Sequence, residues 1–211
     1  VAVMYRDELR SRRVFLCLRE VFGTSGRRHT REACDGSSDG CSSDHAKPTK
    51  RYKQNGFVGE LAKTAGHAQL IAGQVADLEG EGMPVSRAQL RYIHERKTSA
   101  LLTCSVRLGG MSANAAPRQL QALTDFGYYV GLAFQVIDDI LDVTLSSEQL
   151  GKTAGKDVAV QKATYPSVVG LAKSQKIAAK LTAKAFAALK PFNGQAVALE
   201  ALADYLLTRD H

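Results

Sequence analysis

The sequence predicts an all-α fold, and three observations carry that reading. After Phe57 the chain is rich in Ala and Leu at helical spacing, broken by Gly- or Pro-bearing stretches at residues 80–84, 109–117 and 144–157. Ser86, just after Pro84, stands three residues before Gln89, the spacing of a capping box. The segment FGYYVGLAFQVI at residues 126–137 is apolar on every face, which suits a helix enclosed by other helices.

Taken in order, the elements follow from local chemistry. Residues 14–22 (VFLCLREVF) have the pattern of about two turns of amphipathic helix. Residues 23–53 run through Ser, Gly, Arg, Asp and Lys with almost no large apolar side chain. They cannot bury enough surface to offset their ordering entropy, so they read as largely disordered. A helix carrying Gln74 and Asp77 ends near Gly80, and the capped helix from Ser86 runs to about Leu108. Pro117 opens the next helix, residues 118–143, because a proline in the first turn loses no hydrogen bond. Two more helices are read at residues 165–189 and 195–207, the first bearing Lys173, Lys176, Lys180 and Lys184 on exposed positions. The division is therefore an atypical segment, 1–55, and a helical domain, 56–211.

Composition narrows the function classes. The chain has 211 residues, 45% hydrophobic, 23% charged and 7% aromatic, with no Trp, the balance of one globular domain. The longest uncharged apolar stretch, residues 126–137, is far shorter than the roughly 20 residues that span a bilayer, so no stable membrane insertion is expected. Residues 1–13 already carry six charges and lack the apolar core of a secretory signal, which makes a cytoplasmic location the expectation. The formal charge of +7 is uneven, since residues 1–55 hold 12 Lys+Arg and 7 Asp+Glu, and the remainder is nearly balanced. Cys17, Cys34, Cys41 and Cys104 do not make a disulfide framework for a chain this long, so reduced thiols are expected.

The chemistry concentrates where the apolar helix ends, at FQVIDDILD. Asp138 and Asp142 fall on one helix face a turn apart, Gln135 lies a turn before Asp138, and Asp139 occupies the neighbouring stripe. Three like charges so close repel one another and oppose the helix macrodipole, a cost that a hard divalent cation relieves. An oxygen-only ligand set favours Mg²⁺, which binds through one or two carboxylates, waters and substrate phosphates. The plain alternative is the solvated end of a helix. It is weakened by position, because these carboxylates follow twelve residues without a formal charge.

Basic side chains with distinctive neighbours accompany the motif. Lys97 and Thr98 stand in ERKTSALL, Lys152 in the Gly-flanked LGKTAGKD, and Lys162 in QKATYP. Ammonium groups around a carboxylate-held metal suit a diphosphate, although each lysine alone also fits a solvated surface. Gln74 and Asp77, a turn apart, are further candidates, and a polar pair at a helix end explains them equally well.

Taken together, GQVADLEGEG, RKTSALL, FQVIDDILDVT, LGKTAGKD and KATYPSVVGL, in colinear order over residues 57–211, resemble the C-terminal half of the trans-polyprenyl diphosphate synthases, the farnesyl and geranylgeranyl diphosphate synthase family. The resemblance implies the isoprenoid-synthase (terpenoid-synthase) helical fold, incomplete at the N-terminus. It implies a prenyltransferase of isoprenoid biosynthesis that condenses an allylic diphosphate with isopentenyl diphosphate, with Mg²⁺ as cofactor. Asp138, Asp139 and Asp142 match the family's second Asp-rich motif, with Asp138 the direct metal ligand. Lys97, Thr98, Gln135, Lys152 and Lys162 match positions that hold the allylic diphosphate, and Lys97 and Asp138 are the implied catalytic pair. An apolar wall fits this chemistry, because a carbocation must be kept from water until it reacts.

The match stops short of the family's first Asp-rich motif. Residues 1–55 contain no paired aspartates, since Asp35, Asp39 and Asp44 are isolated among Ser and Gly. A truncated or frame-shifted reading frame is therefore expected, with impaired catalysis. Apolar faces around Tyr128 and Phe134 are expected to be exposed unless a partner covers them, which points to a homodimer or a partner subunit. Three other readings make different predictions. A non-catalytic partner subunit would co-purify with a full-length homologue. A class I terpene cyclase shares the fold, but the motifs around Lys97 and Lys162 look like the condensing enzymes. Nucleic-acid binding through Arg27, Arg28 and Arg31 predicts salt-dependent association, yet the segment lacks interleaved aromatics and no such partner is expected. His29, Cys34, Cys41 and His45 have the residue types of a zinc site at a spacing that fits no common finger.

Overall fold

A computed structural model describes residues 48–150 and 163–208, with side chains up to Thr144 in the long helix. Residues 14–22, the His29, Cys34, Cys41 and His45 set, Lys152 and Lys162 lie outside the described residues. Among those described, every regular element is helical. They are α1 (Gln54–Ala65), α2 (Leu70–Glu79), α3 (Arg87–His94), a π-helical turn (Glu95–Ser99), α4 (Ala100–Ser112), α5 (Pro117–Leu150), α6 (Tyr165–Val169), α7 (Leu171–Ala188), a 3₁₀ turn (Lys190–Phe192) and α8 (Val197–Leu207).

Local signals set the starts. Ser86 Oγ accepts from the Gln89 N–H at 3.2 Å, and the Gln89 side chain accepts from the Ser86 N–H at 2.9 Å, closing the expected capping box. Pro117 is the first residue of α5, and the Gln119 side chain accepts the Ala116 N–H at 2.8 Å. A second capping box, not expected from the sequence, joins Thr164 and Ser167 at the head of α6.

Three boundaries differ from expectation. The helix that opens after Ser86 continues to Ser112, through the π turn, so the break falls at Asn114 (φ 58°) and not at Gly109. α5 runs to Leu150, seven residues past the expected end, because TLSSEQL contains neither Gly nor Pro to break it; the Thr144 Oγ1 donates to the Ile140 carbonyl at 3.0 Å within the continuing helix. The helix expected over residues 165–189 is two, since Gly170 sits at φ 84°, ψ 151° and separates α6 from α7. Order also begins before Gln54. The Arg51 N–H and guanidinium bond Asn114 at 3.0 and 2.8 Å, and the Tyr52 hydroxyl donates to the Ala115 carbonyl at 2.8 Å.

α5 is the centre of the bundle and packs most extensively on α7 and α4. Phe126, Val130 and Ala133 of α5 meet Val106 of α4, Ala185 and Leu189 from α7 and its end, and Ala203 and Leu207 of α8 in one core. A second core gathers Leu90, Val136, Tyr165 and Ala178, joining α3, α5, α6 and α7. Arg107 of α4 holds both carboxylate oxygens of Glu60 on α1 at 2.6 and 2.9 Å and reaches Thr124 of α5 at 2.7 Å. Cys104, also on α4, is buried.

Tyr128 and Phe134 are part-buried, against the expectation that their faces would stand exposed; Phe134 rests on the first core. The large exposed apolar side chains lie elsewhere, notably Ile71, Val75 and Leu78 of α2, with Met83 just beyond it, and Val197 and Tyr205 of α8. Among the described residues no helix is long and apolar enough to cross a membrane.

Candidate functional site

The site is built on the close approach of α5 to the π turn. A Cβ on Gly131 would lie 2.5 Å from the Ser99 Cα, and one on Gly127 2.7 Å from the Thr103 Cα, so glycine is what admits that backbone. The two contacts run antiparallel, and Ser99 Oγ donates to the Tyr128 carbonyl at 2.9 Å. At 3.6 residues per turn, Gly127, Gly131, Gln135, Asp138 and Asp142 share a sector of about 80° on α5. The stripe that receives the π turn thus continues into the glutamine and two of the aspartates.

Those carboxylates are not equivalent. Asp142 is exposed and Asp138 half-buried, whereas Asp139 is 3% exposed. The Asp139 Oδ2 accepts the Tyr165 N–H at 2.9 Å and lies 3.6 Å from His94 Nε2. The His94 and Tyr165 rings are 5.4 Å apart, and burial pushes the Tyr165 hydroxyl up. Sequence reasoning missed His94 and Tyr165. A lone histidine on an apolar helix face gives no pairing signal, and the contact joins residues 45 and 26 positions away from Asp139.

Lys97 lies in the π turn, not in a regular α-helix. A π turn is a wide, costly turn found often at functional sites. Here α2 is seated against it, since a Cβ on Gly73 would stand 2.4 Å from the Lys97 nitrogen. One turn after Gly73, Asp77 forms an ion pair with the Lys97 ammonium, while Gln74 is exposed. Thr98 is half-buried beside Lys97. Arg96, missed in the sequence, stacks over the Tyr92 ring at 3.7 Å.

A second polar cluster braces the turn from the other side. The Tyr128 hydroxyl donates to Glu95 Oε1 at 2.5 Å, and Arg91 donates to Glu95 at 2.8 Å and to the Tyr128 hydroxyl at 3.0 Å. Burial pushes the Glu95 carboxyl up, but the hydrogen bonds from Tyr128 and Arg91 outweigh it and hold the group below its ordinary range. Burial and the bond to Glu95 push the Tyr128 hydroxyl up.

Among the described residues no three His, Cys, Asp or Glu are gathered as a ready metal site. The donor set fits a hard cation that needs less than that: Asp138 and Asp142 offer carboxylate oxygens a turn apart on a partly open stripe, and Mg²⁺ keeps several waters.

An all-helical bundle in which an acidic stripe continues the seat of a lysine-bearing turn defines the class: an α protein whose candidate site sets carboxylates beside an ammonium. A polyprenyl synthetase family model matches residues 43–202, and the chain belongs to that family. It is 49% identical over 158 residues to the chloroplastic geranylgeranyl pyrophosphate synthase of Capsicum annuum, covering 74% of this chain and 43% of that protein. It is 44% identical over 174 residues to the chloroplastic heterodimeric geranylgeranyl pyrophosphate synthase large subunit 1 of Arabidopsis thaliana, covering 81% and 46%. Among solved structures it resembles the Helicobacter pylori geranyltransferase complexed with magnesium and isoprenyl diphosphate, with a TM-score of 0.59, 28% identity, and coverage of 73% of this chain and 50% of that one. The helical fold is that of the isoprenyl diphosphate synthases. The chain spans less than half the length of the curated relatives named here.

Proposed function

We propose that this chain contributes one side of a Mg²⁺-dependent prenyltransferase site, for condensation of an allylic diphosphate with isopentenyl diphosphate. The observation that carries the reading is the continuous α5 stripe, in which Gly127 seats the start of α4, Gly131 seats the Lys97 turn, and Gln135, Asp138 and Asp142 follow directly. Asp138 and Asp142 are the carboxylates with access to a hydrated ion. Bound there, Mg²⁺ supplies neutralisation of the diphosphate oxygens. Lys97, Thr98 and Gln135, with Lys152 and Lys162, hold the same diphosphate by charge and hydrogen bonding. The allylic C–O bond breaks and pyrophosphate leaves. The isopentenyl double bond attacks the allylic cation, and loss of a proton restores neutrality.

The sequence holds a single DDxxD run, and this reading calls for a second acidic wall facing it. A partner subunit is favoured by a specific observation: Ile71, Val75 and Leu78 form an exposed apolar stripe along α2. That the Arabidopsis thaliana relative is a heterodimer's large subunit supports the same reading. The compartment proposed is an aqueous one, the cytoplasm, and cell fractionation tests it against a plastid location. The activity test uses purified protein with labelled isopentenyl diphosphate, an allylic diphosphate and Mg²⁺. It is expected to give weak turnover alone and, mixed with a full-length homologue, more than that homologue gives by itself; Asp138→Ala is expected to give none alone and no gain over the homologue. Turnover unaffected by Asp138→Ala would refute the assignment.

A further inference from the structure

The DDxxD run places three carboxylates within five residues, but the structure gives the middle one a different environment. Asp139 lies outside the α5 sector shared by Gln135, Asp138 and Asp142, by about 40°. Its side chain is enclosed in the second core, where His94 and Tyr165 are each 4% exposed and Leu90 and Val136 pack alongside. Its Oδ2 is engaged by the Tyr165 N–H at 2.9 Å and faces His94 Nε2 at 3.6 Å.

We propose that Asp139 is a positioning residue and not a metal ligand: it ties α3, through His94, and the start of α6, through the Tyr165 backbone, to α5. This deepens the functional reading above and rests on it only for the role of Asp138. The physical reason is access. A magnesium ion that binds through one or two carboxylates keeps several waters, and a 3% exposed carboxylate inside an apolar core has no room for that shell. A buried N–H, by contrast, needs an acceptor, and Asp139 supplies one to Tyr165.

The consequence is geometric. Ser99 meets Gly131 and Thr103 meets Gly127, an antiparallel register that puts His94 level with Val136, within a turn of Asp139, whose Oδ2 lies 3.6 Å from the His94 ring. The tie therefore fixes the height of α5 against the helix pair that carries Lys97. Its loss would let Gln135 and Asp138 drift relative to Lys97.

The test separates tie from ligand by two measurements on the full chain. The first is the thermal midpoint without metal. Asp139→Ala, which leaves the Tyr165 N–H without its acceptor, is expected to lower it by roughly 4–8 °C. Asp139→Asn keeps an oxygen in place and is expected to recover most of that loss, and Asp138→Asn to lower the midpoint less than Asp139→Ala does. The second is calorimetric titration of Mn²⁺ with inorganic pyrophosphate. Asp139→Asn is expected to stay within about threefold of the parent and Asp138→Asn to lose about tenfold or more. The proposal is overturned if Asp139→Asn loses as much metal and pyrophosphate affinity as Asp138→Asn at an unchanged midpoint, or if Asp139→Ala does not lower the midpoint. Should the parent bind no Mn²⁺ and pyrophosphate, the functional reading fails while the metal-free midpoints still decide the tie.

Discussion

Gly131 is where α5 and the π turn come closest, and its missing Cβ is the condition for that contact. Gly131→Ala would set a methyl 2.5 Å from the Ser99 Cα, backbone that cannot swing aside. The expected cost is about 1–3 kcal/mol, read by urea denaturation, despite the better helix propensity of alanine. Gly59, on α1 with nothing within 4 Å of its absent Cβ, is the control: Gly59→Ala is expected to gain up to about 1 kcal/mol. Glu95 gives a pH prediction. Its folded-state carboxyl lies below the ordinary range, so its stabilisation is fully present above that range and is lost as the pH falls through it toward the lower folded value. Glu95→Gln is expected to flatten that part of the acid limb in thermal melts from pH 6 down to about pH 3. At this scale the shared helix face of Asp138 and Asp142 was legible, because a turn of helix is a fixed spacing in sequence. The partners of Asp139 and Lys97 were less so, since they depend on how separate helices are stacked. Asp77 appeared only as half of an ambiguous pair.

Among the elements, starts were easier to read than ends. Ser86 and Gln89 act through bonds to each other three positions apart, and Pro117 through its fixed φ and missing N–H, so their chemistry is local and visible. Ser86→Ala is expected to cost about 1 kcal/mol by urea denaturation, the usual value of an N-cap. A helix end depends on whether the downstream residues break it. α5 outran its expected stop because nothing in TLSSEQL does so, while Gly170 divided a segment whose periodicity carried straight through. The π turn at Glu95–Ser99 had no signature in composition or spacing. It arises where Gly73 of α2 and Gly131 of α5 both press on the same five residues, and that squeeze exists only once the bundle is assembled.

For the whole molecule, the all-α architecture and the central place of α5 were legible from twelve uncharged residues that had to be enclosed. The location of the uncovered surface was not. It lies on α2, where Ile71, Val75 and Leu78 are exposed, and on α8 at Val197 and Tyr205, and not around Tyr128 and Phe134, which the bundle itself part-covers. Leu78, 65% exposed, is the place to test self-association: Leu78→Glu is expected to reduce any concentration-dependent mass increase in sedimentation velocity without lowering the thermal midpoint. The central claim is that the acidic stripe continuing the Lys97 seat grips a metal diphosphate. It is tested most directly by calorimetric titration of Mg²⁺ and inorganic pyrophosphate into the folded chain and into Asp138→Ala. The account predicts saturable, metal-dependent heat from the parent chain and loss of that heat in the variant. Equal heat from both, or none from the parent, would contradict it.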